Sequence, residues 1–269
     1  MRTPLFLLAV SVLLGALPAS AQFRVSSSLP SSTFLLYEGI PLRVEIQNNS
    51  DEILYIGGTN RMAELHVRVL DLKNRPVPAT ATPVLQETWV IPPGHTGARE
   101  FDLVQLREIR NTLSFQTQVI LQAGEDSFAG SLHYFDVSNG TPHAKIRRRG
   151  ADRTFELIGL TRNSQDEMIL RVSTFDAKTS LHTYLLDRHL RFYPPEMQVD
   201  AEGRVHTLHY KAPAVAVHCL FTPTGLPIDR RYYQVAPGPR VSLAPHPEEG
   251  YGVLGGRRMD STPAAEPAP

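Results

Sequence analysis

The stretch Pro41-Leu42-Arg43-Val44-Glu45-Ile46-Gln47-Asn48-Asn49-Ser50-Asp51-Glu52-Ile53-Leu54 alternates apolar and polar side chains and then breaks on a polar turn. A strand points successive side chains to opposite faces, so Leu42, Val44 and Ile46 share one face while Arg43, Glu45 and Gln47 share the other. A helix would space its apolar residues by threes and fours. The same unit recurs along the first half of the chain. Leu65, Val67 and Val69 alternate before a turn at 71–75, the breaker Pro92-Pro93-Gly94 leads into 99–106, and Thr117, Val119 and Leu121 precede a last segment at 128–135. Short alternating strands at this spacing predict a two-sheet sandwich over 22–137. Leu103, Leu106 and Ile109 depart from the pattern by recurring at threes, which predicts a short helical crossover between the sheets.

Three segments taken in order, "PLRVEIQNNSDEIL", "LHVRVLDLKNRPV" and "VIPPGHTGAREFDL", resemble bacterial immunoglobulin-like modules, including those of the intracellular proteinase-inhibitor type. The shared features are an Asn-rich turn after a strand, a strand ending in Asp before a turn, and a Pro-Gly corner before Phe-Asp-Leu. The resemblance covers 34–137 and implies an immunoglobulin-like fold, with an inhibitor role as a further implication. Trp89 is present, but the cysteine pair of antibody domains is not.

The first 21 residues carry Arg2, an apolar run from Leu5 to Leu17, and the small residues Ala19-Ser20-Ala21, the pattern of a secretory signal peptide. The expected mature chain starts at Gln22 and is exported, periplasmic or extracellular. Its apolar run is shorter than the roughly 18 residues that span a bilayer, and no other such run follows, so no integral membrane segment is expected after signal removal. Of 27 basic and 27 acidic residues only Arg2 lies in that segment, which leaves the mature chain nearly neutral. Such a balance gives no general attraction to nucleic acid or to anionic lipid. Cys219 is the only cysteine, so it forms no intramolecular disulfide, and its apolar run Val217-His218-Cys219-Leu220-Phe221 predicts burial.

Residues 138–153 contain Asn139-Gly140-Thr141-Pro142 and the basic run Arg147-Arg148-Arg149, and read as an interdomain linker. Beyond it, strands are expected at 155–160, 168–175, 181–186 and 189–193, followed by a weak repeat of turn glycines at Gly203, Gly225 and Gly250. The second domain, 154–256, is thus expected as an antiparallel sheet of hairpin repeats, making the whole chain all-β. It resembles the C-terminal part of a group of secreted bacterial β-rich proteins with "D-x-x-G-x-V-H" and "G-G" segments, matched here by Asp200, Gly203, Val205, His206 and Gly255-Gly256. That resemblance brings no known activity. The end, 257–269, is rich in Pro and Ala and is expected to be disordered.

Histidines concentrate in the second half: His182, His189, His206, His209, His218 and His246. A zinc site needs three or four converging ligands. On a strand His206 and His209 point to opposite faces and cannot chelate one ion together. Across a hairpin turning at Lys211-Ala212-Pro213-Ala214, His209 lies near His218, or His206 near Cys219, depending on the register. These four are the candidate metal residues, although ordinary sheet histidines are the expectation and no cofactor is assigned. No G-x-S-x-G elbow and no H-E-x-x-H occurs, and Asp166-Glu167 and Glu248-Glu249 read as solvated turns, so no catalytic residue is assigned. The glycine-rich end 250–256 has no P-loop lysine and reads as a terminal strand. The expected function is that of an exported non-catalytic protein presenting β-surfaces to a protein partner. Two alternatives are protease inhibition through the loop 88–97 and a hydrolase with a composite site at the domain junction.

Overall fold

The computed structural model describes residues 22–58, 62–80, 84–85, 87–148, 150–176, 179–238 and 240–259. The expected signal segment 1–21 and the positions 260–269 of the expected tail lie outside the described residues. In the first unit the elements are β1 (Phe23–Ser28), β2 (Thr33–Leu35), β3 (Pro41–Asn48), β4 (Leu54–Ile56), β5 (Ala63–Asp71), β6 (Trp89–Ile91), β7 (Thr96–Asp102), α1 (Leu103–Leu106), β8 (Ser114–Ala123), β9 (Asp126–Ala129) and β10 (His133–Ser138). They form a sheet of order β1-β3-β7 and a second of order β2-β10-β8-β5-β4-β6, with β9 on β8. The chain is all-β and built mainly from antiparallel pairs, as the alternation predicts.

The opening stretch shows why. Leu42, Val44 and Ile46 are fully buried and share one core with Leu65, Val67 and Val69 of β5 and Val119 and Leu121 of β8. Burying each such side chain contributes about 1.5–3 kcal/mol. The Asn-rich turn is fixed from inside. Asn48 is buried, and its Nδ2 donates to the carbonyls of Glu52 (2.8 Å) and Ile91 (3.0 Å), while its Oδ1 accepts from the backbone N–H (3.0 Å) and hydroxyl (2.6 Å) of Ser50. At the helical crossover, Asp102 caps α1 by accepting from the N–H of Val104 (3.0 Å) and also holds the N–H of Ile40 (2.9 Å). Leu103 and Leu106 on the helix, with Ile109 beyond it, enter the core.

The second unit contains β11 (Thr141–Arg148), β12 (Arg153–Arg162), β13 (Gln165–Thr174), β14 (Ser180–Arg188), β15 (Glu196–Val199), β16 (Val205–Ala212), β17 (Val215–Phe221), β18 (Pro227–Val235), β19 (Ser242–His246), β20 (Gly250–Leu254) and β21 (Gly256–Arg258). A sheet β11-β12-β13-β14 packs on a sheet β15-β16-β17-β18-β21, burying Phe155, Leu170 and Val172 against Val217, Cys219 and Phe221. The opposite face of the five-stranded sheet is covered by the β19-β20 hairpin, whose Leu243 and Val253 pack on Leu208, Tyr210 and Ala216. The expected turn glycines Gly203, Gly225 and Gly250 all have positive φ, at 83°, 97° and 77°.

Three expectations are corrected here. Most of the expected linker 138–153 is strand β11, paired with β12 from Thr141↔Gly159 to Arg148↔Arg153. Its alternate residues Ala144 and Ile146 pack on the inter-sheet core, whereas Lys145 faces outward to ion-pair with Glu156 across the strands. An edge strand with a basic outer face therefore has the composition of a solvated connector. The expected strand 189–193 is a turn in which Leu190 N–H donates to Tyr210 C=O (2.8 Å) and Tyr193 stacks on Tyr210 at 4.2 Å. The expected tail begins within β21, where Arg257 and Arg258 pair with Gln234 and Tyr233.

With the linker gone, the two units meet directly. Leu35 is fully buried among Ile158, Leu160 and Ile169. Arg162 grips the Glu38 carboxylate with both terminal nitrogens, at 3.1 and 2.7 Å, and Arg171 donates to the Leu36 carbonyl (3.0 Å). The crossing from β10 to β11 turns on Gly140, at φ 66°, where an added Cβ would sit 2.5 Å from Ile158 Cγ2 and 2.8 Å from the Gly159 carbonyl oxygen.

Candidate functional site

Five histidines of the second unit form two groups on opposite faces of the five-stranded sheet, while His182 stacks on Tyr184 and His246 accepts from the N–H groups of Glu248 and Glu249. The first is set by the β16-β17 register, which pairs Leu208 with His218, Thr207 with Cys219 and His209 with Val217. A plain two-residue turn at Pro213-Ala214 would instead put His209 opposite His218. The strands shift register between Tyr210 and Ala212, so one extra residue, Lys211, moves every residue before it by one position. Neither expected pair, His209 with His218 or His206 with Cys219, is brought together. The shift instead joins His206 to His218, with ring centroids 5.3 Å apart and His206 Nδ1 3.1 Å from His218 Nε2.

Asp200 completes a line of three. Its Oδ2 accepts from His206 Nε2 at 3.0 Å and from Arg204 Nε at 2.6 Å, and its Oδ1 accepts from the Arg204 N–H at 2.8 Å. The carboxylate therefore fixes the His206 proton on Nε2, which leaves Nδ1 to accept from His218. Burial pushes the His218 ring down to about 4, helped by the neighbouring His206 and Arg231 and opposed by Glu249. Burial lowers His206 as well, against the pull of Asp200. Burial raises Asp200, but the His206 and Arg204 hydrogen bonds outweigh it and hold the carboxyl below its usual range. The β19-β20 hairpin closes the line from outside: Tyr251 meets His206 edge-on at 5.5 Å, and Glu249 holds Arg231 at 2.7 Å. Both rings are essentially inaccessible. The arrangement can tie the outer layer to the sheet, but it offers no surface to a reactant.

Cys219 is buried and burial pushes its thiol up to about 11, which keeps it protonated and unreactive. Among the described residues no group of three or more His, Cys, Asp or Glu side chains is arranged to hold a metal ion.

The second group is a row on the other side of the five-stranded sheet. His209 faces inward, His189 follows 6.3 Å away between ring centroids, and His143 lies a further 5.2 Å on. His143 is the extra residue of a β-bulge between Pro142 and Ala144, and its ring occupies space left by Gly159, where a Cβ would stand 2.7 Å from Nε2. His189 sits just past β14, held by its N–H to the Asp166 carbonyl (2.7 Å). It is 4% exposed, and neither ring nitrogen is hydrogen-bonded to the protein. Burial, with the neighbouring His143, pushes His189 down to about 4, and burial pushes His209 to about 3.

His143 and His189 line a cleft of about 510 Å³ at the junction of the two units, with Thr33 and Ser138 from the first and Thr141, Thr161, Asp166 and Arg191 from the second. Asp166 is not a solvated turn acid as expected: it lies in β13 and accepts from Arg191 (2.6 Å) and Thr161 (2.8 Å). Burial raises its carboxyl, but these bonds win and hold it low. Glu249 likewise carries an ion pair, to Arg231. Sequence reasoning missed the cleft because His143 was assigned to the linker and His189 to a strand. The one visible signal was the density of histidines, which does not specify a cleft alone. Of the candidate inhibitory loop 88–97, Trp89–Ile91 is strand β6 and Thr96 and Gly97 begin β7, leaving 92–95 as a tight corner in which Gly94 N–H donates to Asn48 C=O (2.8 Å) and Asn48 N–H to His95 C=O (2.9 Å).

No protein-family model matches this chain, and no curated protein matches it. Among solved structures it is similar to a β-glucosidase from Listeria innocua in complex with isofagomine, at 20% identity over 43% of this chain and TM-score 0.28, and it spans 16% of that enzyme. It is similar to Spo0M, the sporulation control protein of Bacillus subtilis, at 8% identity over 75% of this chain and 79% of that one, TM-score 0.30. A third similarity is to the periplasmic chaperone SfaE, at 9% identity over 77% of this chain and 98% of that one, TM-score 0.21. Scores this low assign neither fold nor function, and the reading of the site rests on its own residues.

Proposed function

We propose that this is an exported, non-catalytic binding protein that pairs the edge of β7 with a protein partner. The observation that carries the reading is the state of that edge. β7 ends its sheet, pairs with β3 over all of Thr96–Asp102 without a bulge, and among the described residues its backbone from Thr96 to Phe101 has no hydrogen bond on the outer side. Two other edges are blunted, since β11 is bulged at His143 and the Leu185 carbonyl of β14 is taken by Arg230 at 2.8 Å, whereas β1, the opposite edge of the same sheet, is also unbulged and is the comparison strand for the test below. An open edge binds an incoming strand by main-chain hydrogen bonds, with side chains setting specificity. Here Thr96, Ala98 and Glu100 are exposed along it, and Arg99 lies over Trp89 at 5.4 Å. Export is supported by the segment 1–21.

The test is a pull-down of the mature chain from envelope extract, followed by hydrogen exchange on the recovered complex. Protection of the β7 amides on partner binding, with those of β1 unchanged, is the expected result. A partner that leaves β7 unprotected, or no partner across repeated conditions, overturns the reading.

A further inference from the structure

The junction cleft is a second place where this molecule presents unused hydrogen-bonding capacity, and it is independent of the β7 edge. Its deepest group, His189, is nine-tenths buried yet has neither ring nitrogen satisfied by the protein. A buried polar group without a protein partner is costly, and at the wall of a cleft a bound molecule can supply the missing partner. A neutral imidazole has one donor and one acceptor, so its occupant must supply both. A hydroxyl both donates and accepts, so it serves either nitrogen, and two hydroxyls complete the ring.

The walls point the same way. Thr33 and Thr141 add hydroxyls from opposite sides of the junction, and His143 adds a second imidazole. The two formal charges in the cleft, Asp166 and Arg191, are bound to each other at 2.6 Å and cancel, so a charged occupant finds no uncommitted counter-ion. The volume of about 510 Å³ lies inside the range of small-molecule sites. We propose that the cleft binds a neutral, hydroxyl-rich small molecule, of mono- to disaccharide size, with His189 as its central hydrogen-bonding residue.

Calorimetry and ligand-observed NMR on the mature chain at neutral pH, with maltose, cellobiose and N,N′-diacetylchitobiose as probes, test this. Binding of at least one probe at concentrations up to about 10 mM is expected, weakened at least about tenfold by His189→Phe. Thr141→Val, at an exposed rim position that leaves the fold intact, is the second variant and is expected to weaken the same probe severalfold. No binding by any of the three, unchanged affinity in a folded His189→Phe and in Thr141→Val, or preferential binding of acetate or phosphate would each overturn the proposal.

Discussion

The two histidine groups of the second unit use the same chemistry for opposite ends. In the line Asp200-His206-His218 each bond prepares the next, a hairpin seals it, and only His218 Nδ1 is left without a partner. In the row His209-His189-His143 the rings touch but leave His189 unsatisfied, and the row opens into a cleft. The lesson is that a buried histidine cluster is read by its hydrogen-bond closure. A closed cluster holds layers together, whereas an open one keeps capacity for something else.

The largest expected effect is acid sensitivity, because it draws on both groups. His189 and His218 titrate at about 4 and His209 at about 3 in the folded chain, against about 6.5 for an unfolded imidazole. The unfolded chain therefore binds more protons between those values, and stability, intact above about pH 6.5, falls as pH drops toward 4 by an amount on the order of several kcal/mol. Urea midpoints from pH 7 to pH 4 measure it. A flat profile through that window breaks the claim that these rings are neutral and buried. Replacing His189 with Phe removes one titrating ring and should flatten the slope between pH 6 and pH 4.

Next in size is Asp200→Ala, which strips His206 Nε2 and Arg204 Nε of their acceptor and should cost about 3 kcal/mol in urea unfolding at pH 7. Gly140→Ala follows, at about 2 kcal/mol, since it combines a positive φ with a Cβ driven into Ile158 at the junction. Smallest is His189→Phe at pH 7. It removes no hydrogen bond and replaces an unsatisfied ring with an apolar one, so stability should change by less than about 1 kcal/mol in either direction. The contrast between Asp200→Ala and His189→Phe is the sharpest form of the comparison. Equal losses from both would mean that the row is as structural as the line.

Much of the fold was legible from residue pattern alone. The alternation of Leu42, Val44 and Ile46 reports a buried face directly, and Leu103, Leu106 and Ile109 mark the crossover, of which only Leu103–Leu106 is helical. Strand β11 was hidden because an edge strand exposes one face, and its exposed residues include Pro142, Lys145 and Arg147. The histidine pairing was hidden for a different reason. A one-residue bulge at Lys211 exchanges the faces of everything before it, and no local composition marks a bulge. The cleft depends on contacts between residues more than a hundred positions apart, such as Arg162 with Glu38, so its existence belongs to tertiary packing.

The most direct measurement is the ¹⁵N spectrum of the histidine rings in the mature chain at pH 7, with and without the disaccharide probes. The account predicts Nε2-protonated signals for His206 and His218 that do not move, and signals for His189 and His143 that shift on addition. Shifts confined to His206 and His218, or His189 unmoved while a probe binds, would contradict it.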